Sequence, residues 1–267
     1  MATMIFYQKP TALNRERHRN LKLDASAGNF SFAEKTNSVL IAATEIVDAA
    51  LSYPVVFVGK AGGPFTLAAM VGLNDQENLY VDANGQWEAD CYLPAFVRRY
   101  PFVLAEGDGE GADLTVCVDE SFVGLNEETG EALFDADGTE APLLAGAVDF
   151  LRLFHIEMQN TNAFAARLAE LDLLTQKTIE VQRDGKKQLV EGIFIIDQEK
   201  LMKLDDVTLL HLLRNGDMSL IHAHLFSLKH VPRLAARLDR RTSAATQAAT
   251  EAAQSLLESM PAAPTVM

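Results

Sequence analysis

Short apolar runs separated by turn residues dominate the first half of the chain and predict buried strands. "VVFVG" follows Pro54, which ends a predicted helix with Thr44 as its N-cap, and "FVLAE" and "LTVCVDE" have the same strand-like character. "FTLAAMVGL" fits either a strand or a short helix, and "NLYVDANGQW" predicts a strand that enters an Asn-Gly turn. This half therefore predicts mainly antiparallel sheet.

Apolar positions recur with helical spacing in most of the second half. The stretch 143–174 has a long helical period, which predicts two helices. "TIEVQRDGKKQLVEGIFIID" predicts a hairpin that turns at Asp184-Gly185. Two short helices should follow, with Asp197 and Asp205 as N-caps and Gly216 as a C-cap. Strands come early and helices predominate late, so the predicted class is α+β rather than alternating α/β.

Composition changes along the chain and suggests three parts. Residues 1–28 are polar and basic without a period, which predicts an N-terminal arm. Residues 29–240 predict a single α+β domain, with position 142 as an alternative internal boundary where strands give way to helices. Residues 241–267 are rich in Ala and Thr and predict a peripheral tail, helical in part.

Charge and length narrow the function classes. The 267 residues carry a formal net charge of -14, which disfavours nucleic-acid binding because a phosphate backbone would be repelled. No apolar run is long enough for a membrane span, and the N-terminus lacks the charge order of a secretory signal. Cys91 and Cys117 fit a reducing compartment. We therefore expect a cytoplasmic protein with a protein or peptide partner and an oligomeric state that the sequence leaves open.

The stretch "YLPAFVRRYPFVL" places two adjacent arginines in an apolar setting. Arginine is a bidentate donor that stays charged, so Arg98 or Arg99 could hold a carboxylate or phosphate beside Trp87, Tyr92 and Tyr100. Neighbouring residues point apart in a strand and diverge by about 100° in a helix, so both arginines cannot easily hold one ligand. One of them should be structural.

A structural role for either arginine predicts an ion pair with a distant acid. Asp119 and Glu120, at the end of the "LTVCVDE" strand, are the obvious partners. The same two acids are also candidate ligand-binding groups, since side chains at strand ends often reach a site. His18 lies in the basic segment "RERHRN", where we expect it to be exposed and free to meet a ligand, a partner or solvent.

The order of these motifs resembles the SapC family of bacterial proteins. The likeness covers about 7–238, and its centre is a tryptophan, then Tyr-x-Pro-Ala, then Arg-Arg-Tyr-Pro-Phe; "GIFIIDQEKLMKLDD" and "NGDMSLIHAHLFSL" continue it. The resemblance implies an association with bacterial surface-layer (S-layer) proteins and an accessory role in handling or modifying a substrate. It carries over no catalytic residues. The inner-membrane peptide permease of the same name is a different protein, with spanning segments that this chain lacks.

Motifs for common chemistry are missing from the sequence. "DADGTE" and "DANGQW" fail the calcium-loop spacing, and the histidines have no carboxylate at a convincing metal-ligand spacing. No nucleophile elbow, phosphate loop or dinucleotide fingerprint is present. We therefore expect no metal and no cofactor.

These observations favour a noncatalytic accessory or binding protein that handles a peptide or protein linked to the cell surface. The expected site consists of His18, Trp87, Tyr92, Arg98, Arg99, Tyr100, Asp119 and Glu120. One alternative is an enzyme of unlisted chemistry that holds an anion with an arginine and uses an acid or a histidine for proton transfer. The other is a structural S-layer component.

Overall fold

The fold was analysed in a computed structural model, which describes residues 4–106, 114–183 and 186–259. Residues 107–113, within the acidic stretch "EGDGEGAD", and the predicted turn at Asp184-Gly185 lie outside these residues. The strands are β1 (Pro10–Ala12), β2 (Lys22–Leu23), β3 (Ser38–Leu40), β4 (Val55–Gly59), β5 (Phe65–Met70), β6 (Phe102–Glu106), β7 (Leu114–Asp119), β8 (Leu125–Asn126), β9 (Glu131–Ala132), β10 (Leu174–Arg183) and β11 (Lys186–Ile196).

Helices lie between and after these strands. They are α1 (Ile46–Ala49), α2 (Ala95–Arg98), α3 (Pro142–Glu170), α4 (Gln198–Leu201), α5 (Asp206–Arg214), α6 (Asp217–Ser227) and α7 (Val231–Ser259), with 3-10 turns at Ser31–Ala33, Ala43–Glu45 and Leu228–His230. The α+β class is confirmed, since the sheets are antiparallel and helices predominate late. None of the helices within the described ranges is long and apolar enough to cross a membrane.

The main sheet has the strand order β10-β11-β4-β5-β3, so the predicted β10–β11 hairpin extends a sheet that begins in the first half. The ambiguous stretch at 65–73 contains a strand, β5, rather than a helix. Five of the six residues of β5 are buried, and α3 and α6 pack on the sheet that contains it. The core of the protein includes Tyr53, Phe57, Phe96 and Phe164.

Two smaller antiparallel sheets use parts of the basic N-terminal segment. β1 pairs with β7 in the order β1-β7-β6, and β2 lies between β8 and β9. Backbone pairing thus ties the first residues to positions more than a hundred residues away. The division into arm, domain and tail stays a prediction.

The prediction of two helices across 143–174 is wrong, because α3 is one helix of 29 residues. The helix runs without a break through its polar middle. There the Thr161 hydroxyl donates to the Glu157 carbonyl one turn earlier and accepts the Ala43 N–H at 2.7 Å. The first half of α3 packs Leu144 and Val148 onto a second apolar cluster that contains Phe102 and Val118. Its second half packs onto the main core.

Two of the predicted helix caps are present in the structure. Asp197 and Asp205 each accept two backbone N–H groups at the starts of α4 and α5. Asn215 is the C-cap of α5, and Gly216 follows it in the left-handed conformation. Thr44 is not an N-cap, because helical residues begin at Ala43.

Candidate functional site

The Arg98-Arg99 pair divides between surface and core. Both residues belong to the single turn of α2 and its cap, which Pro94 precedes and the cis Tyr100-Pro101 bond follows. Arg98 is exposed, whereas Arg99 is 6% exposed. The divergence expected of adjacent helical residues is therefore present, and the two side chains meet different groups.

Arg99 lies among aromatic rings. Its guanidinium carbon is 4.0 Å from the centroid of Phe96 and 5.5 Å from that of Phe154, within the range of cation–π attraction. Tyr7 is close as well, and its hydroxyl donates to the Phe102 carbonyl at 2.7 Å. Burial lowers the pKa of Arg99, while Tyr7 acts in the opposite direction. This arginine holds the N-terminal segment against α2 and α3.

Arg98 faces a different group of side chains. Its Nη2 lies 3.5 Å from the Tyr92 hydroxyl, and its guanidinium is 5.4 Å from the Phe150 ring centroid. The Tyr92 hydroxyl donates to Glu45 at 2.8 Å, and Glu45 also accepts the Ala95 N–H at 2.7 Å. Burial first, and the Glu45 charge second, raise the pKa of Tyr92 to about 12. Arg98 is the arginine that a ligand could reach.

Glu45 is a buried carboxylate that the sequence did not single out. It is 7% exposed, and its second oxygen accepts the Ala42 N–H at 2.8 Å. The sequence offered one sign of this role: Glu45 lies inside the apolar pattern of 40–51, and an acid that is buried needs hydrogen-bond donors around it. With three donors on its oxygens, Glu45 holds α1 and α2 together.

Asp119 is closed off from solvent, with 0% exposure. It accepts the N–H groups of Gln8 and Lys9 and both the N–H and the hydroxyl of Ser121. Burial acts to raise its pKa, but these hydrogen bonds together lower the pKa of Asp119 below the usual value. The Tyr100 hydroxyl lies 3.3 Å from it. Asp119 therefore anchors the N-terminal segment, and the predicted Arg98 or Arg99 ion pair is not among its described contacts.

Glu120 pairs with three basic residues of the N-terminal segment. Lys9 and Arg17 lie at 2.8 and 2.6 Å, and the His18 Nε2 is 3.3 Å away. The Lys9 hydrogen bond is the main cause that lowers the pKa of Glu120. The basic N-terminal segment thus pairs with an acid at the end of β7 within one molecule.

The expected exposure of His18 is wrong. The residue is 4% exposed, because the ring Nδ1 accepts the Asn14 N–H at 3.0 Å while Nε2 faces Glu120. An accepting Nδ1 places the ring proton of the neutral histidine on Nε2. His18 thus closes a local turn and is not presented to a partner.

Trp87 lies apart from both arginines of α2, on the wall of a groove. Its indole N–H donates to the Tyr53 hydroxyl at 3.0 Å, and its ring stacks at 6.5 Å on Tyr80. The groove has a volume of 660 Å³, and its wall includes Tyr80, Val81, Gln86, Trp87, Glu88 and Arg241. Burial raises the pKa of Tyr80 to about 12, although Arg237 acts to lower it.

Two arginines from α7 complete this side of the groove. The guanidinium of Arg237 stacks 4.3 Å from the Tyr80 ring centroid and pairs with Glu88. Arg241 donates to the Asn78 carbonyl at 2.6 Å. No local pattern in the sequence connects these arginines to Trp87, which lies about 150 residues earlier in the chain.

The turn before Trp87 is fixed by Asp82 and Gly85. Asp82 accepts the N–H groups of Asn84 and Gln86, and Gly85 has a φ of 73°. A Cβ on Gly85 would lie 2.3 Å from Asn29 Nδ2, so this position has no room for a side chain. The predicted Asn-Gly turn is present, but the strand expected to enter it is wrong, because 78–82 form only one isolated bridge, between Val81 and Trp87.

The eight predicted site residues therefore do not form one cluster. Trp87 lines the groove, Tyr92 and Arg98 share a surface near Glu45, Arg99 and Tyr100 pack among aromatic rings, and Asp119, Glu120 and His18 fix the N-terminal segment. Among the described residues, no group of three His, Cys, Asp or Glu side chains is arranged to hold a metal ion. An aromatic groove with mixed charge at its rim can bind an apolar side chain flanked by polar groups.

Comparison with known proteins gives one match. The family model SapC matches residues 13–234, which include Trp87, Tyr80 and Glu88 of the groove wall, α2 and most of the helices, but not Arg237 and Arg241. No curated protein matches the chain, and no solved structure does.

Proposed function

Because the chain belongs to the SapC family, we propose that it is a noncatalytic accessory protein that binds a peptide or protein substrate linked to the bacterial cell surface. The observation that carries this proposal is the groove beside Trp87. Its wall combines two aromatic side chains with the polar or charged groups of Gln86, Glu88 and Arg241. Peptide-binding sites often have this combination, since aromatic walls take apolar anchors and charged rims fix orientation.

The stiffness of the groove supports a binding role. Trp87 is held by the Tyr53 hydroxyl, which itself donates to the Tyr92 carbonyl. Arg237 is held on Tyr80 from the opposite element. Side chains that are already fixed lose little conformational entropy when a ligand arrives, so this wall is preorganised for binding.

Arg98 is the second part of the proposed site. Arg98 is exposed and lies beside Tyr92. The carbonyl of Tyr92 accepts a hydrogen bond from the Tyr53 hydroxyl, which in turn accepts the Trp87 indole N–H at the groove. We assign Arg98 to an anionic group of the ligand, such as a carboxylate. Arg99, Tyr100, Asp119, Glu120 and His18 serve in this proposal as the support that fixes the surrounding segments.

The alternative of an enzyme is less well supported. It requires an arginine and an acid that converge in one cleft, whereas Asp119 is closed by backbone N–H groups and Arg99 lies against Phe96. The S-layer alternative requires self-assembly outside the cell, for which no specific feature of the described residues argues.

Binding of peptides selected from a random display library tests the proposal. We expect selected peptides to bind the wild type and to lose at least about tenfold in affinity with Trp87→Ala or Arg241→Ala, a typical loss for an anchor contact. Arg152→Ala, an exposed arginine on α3, is the matched control and should bind normally. If no peptide is enriched over the double variant Trp87→Ala/Arg241→Ala, the proposed groove function is wrong.

A further inference from the structure

The exposed side of α6 and α7 carries a regular stripe of exposed residues, three of which are Lys or Arg. Positions separated alternately by four and three residues are all exposed from the middle of α6 to α7: His222, Phe226, Lys229, Arg233, Ala236 and Arg240. The buried positions between them face the core: Ile221, His224, Ser227, His230, Leu234 and Leu238. The basic stripe, as we call the exposed set, spans about 27 Å at the helical rise per residue.

Charge on this segment opposes the charge of the whole chain. Residues 228–241 contain five lysines or arginines and one aspartate, Asp239, in a protein with a net charge of -14. Arg237 and Arg241 face the groove, so Lys229, Arg233 and Arg240 form the outward cations. Beyond about 8–10 Å the remaining acidic surface is screened at physiological salt, so these cations act locally.

Large apolar side chains accompany the stripe. Phe226 on α6 is 66% exposed. α6 packs against α1, which brings two more exposed apolar residues to this surface. Val47, within α1, is 55% exposed, and Leu51, two residues after the end of α1, is 75% exposed. The ring of His230 lies at the Ala50 backbone, which brings the end of α1 beside the start of α7. Asp48 is the exposed acid between the two apolar residues.

The shape of this surface indicates what it contacts. None of Val47, Leu51, Phe226 or the outward cations lines the groove at Trp87. Val47, Leu51 and Phe226 are each more than half exposed, so they project outward from the surface. Projecting Phe and Leu beside a line of Lys and Arg is typical of a face that lies on an anionic lipid surface.

We propose that the basic stripe, which includes Phe226, docks this protein reversibly onto an anionic phospholipid surface together with Val47 and Leu51. The cations contact the headgroups, and the apolar side chains enter the boundary with the acyl chains. This role is separate from the groove at Trp87, where Arg237 pairs with Glu88 and Arg241 donates to the Asn78 carbonyl.

Co-sedimentation with lipid vesicles tests the proposal. We expect the full chain to partition at least about tenfold better into vesicles of phosphatidylcholine and phosphatidylglycerol at about 3:1 than into phosphatidylcholine alone. Salt at about 0.5 M should remove most of the difference. Lys229→Glu/Arg240→Glu and, separately, Phe226→Ser should each reduce binding at least about fivefold. Thermal melting checks that these surface variants fold.

Arg152→Glu/Leu153→Ser provides the matched control, because it changes an exposed cation and an exposed apolar residue on α3. Equal partitioning of the wild type into both kinds of vesicle would overturn the proposal. Equal losses in the control and the stripe variants would overturn it as well. Binding to poly-glutamate without binding to vesicles would reassign the stripe to an acidic protein partner.

Discussion

The guanidinium of Arg99 lies over the Phe96 ring, with its central carbon 4.0 Å from the ring centroid. Its neighbour Arg98 is exposed and lies beside Tyr92 and Phe150 instead. Adjacent and identical side chains thus have different environments, and their roles can be separated by experiment.

Arg99→Ala should destabilise the fold by about 2–4 kcal/mol, because it removes a buried side chain and its contacts with Phe96 and Tyr7. Arg98→Ala should change the free energy of unfolding by less than about 0.5 kcal/mol and weaken peptide binding. Urea denaturation and peptide titration measure the two effects. Equal destabilisation by both substitutions, with binding unchanged in the folded protein, would make the pair purely architectural.

Gly85→Ala should destabilise the protein by about 3 kcal/mol or more, because a Cβ would overlap Asn29 and Ser31 and the residue has a positive φ. Gly138→Ala is the matched control: its φ is 86°, but no atom lies within 4 Å of the new Cβ. The control should cost only the backbone strain, about 1–2 kcal/mol. Similar losses in thermal melts would mean that the contact of this turn with Asn29 is unimportant.

Acidification should destabilise the fold well above the range in which carboxylates titrate. Burial lowers the pKa of His224 to about 4, and its Nε2 accepts the Ile196 N–H. Since the unfolded chain has the higher pKa, it binds more protons as the pH falls from 6.5 towards 4, so stability decreases over that window. The loss between pH 7 and 5 should be about 2 kcal/mol.

His224→Gln should lose most of this pH dependence, since glutamine does not titrate. Burial also lowers the pKa of His230, which will leave a smaller slope of the same sign. Urea midpoints at several pH values between 7 and 5 measure the effect. An unchanged slope in the variant would show that His224 does not cause it.

Local patterns predicted the parts of the fold whose causes are local. β4, the β10–β11 hairpin and the caps at Asp197 and Asp205 follow from apolar runs and from side chains that bond their own backbone. The continuity of α3 was not predicted, because a contact that supports its middle comes from a distant segment. Thr161 meets Ala43 there, a contact that exists only in the folded chain.

The candidate site was less predictable, because its residues come from distant segments. His18 was expected at the surface, and only its pairing with Glu120 explains why it is buried. Trp87 could be chosen from its residue type, but Arg237 and Arg241 reach its groove only once α7 has packed. Residue type thus identified possible contacts, whereas tertiary packing determined which of them share a surface.

The most direct test of the groove uses the fluorescence of Trp87, the single tryptophan of the chain. A peptide that binds beside Trp87 should exclude water from the half-buried indole and shift its emission to shorter wavelength, saturating with the affinity measured independently. Arg241→Ala should weaken both signals in parallel. Saturable peptide binding that leaves the Trp87 emission unchanged and is insensitive to Arg241→Ala would contradict a binding site in this groove.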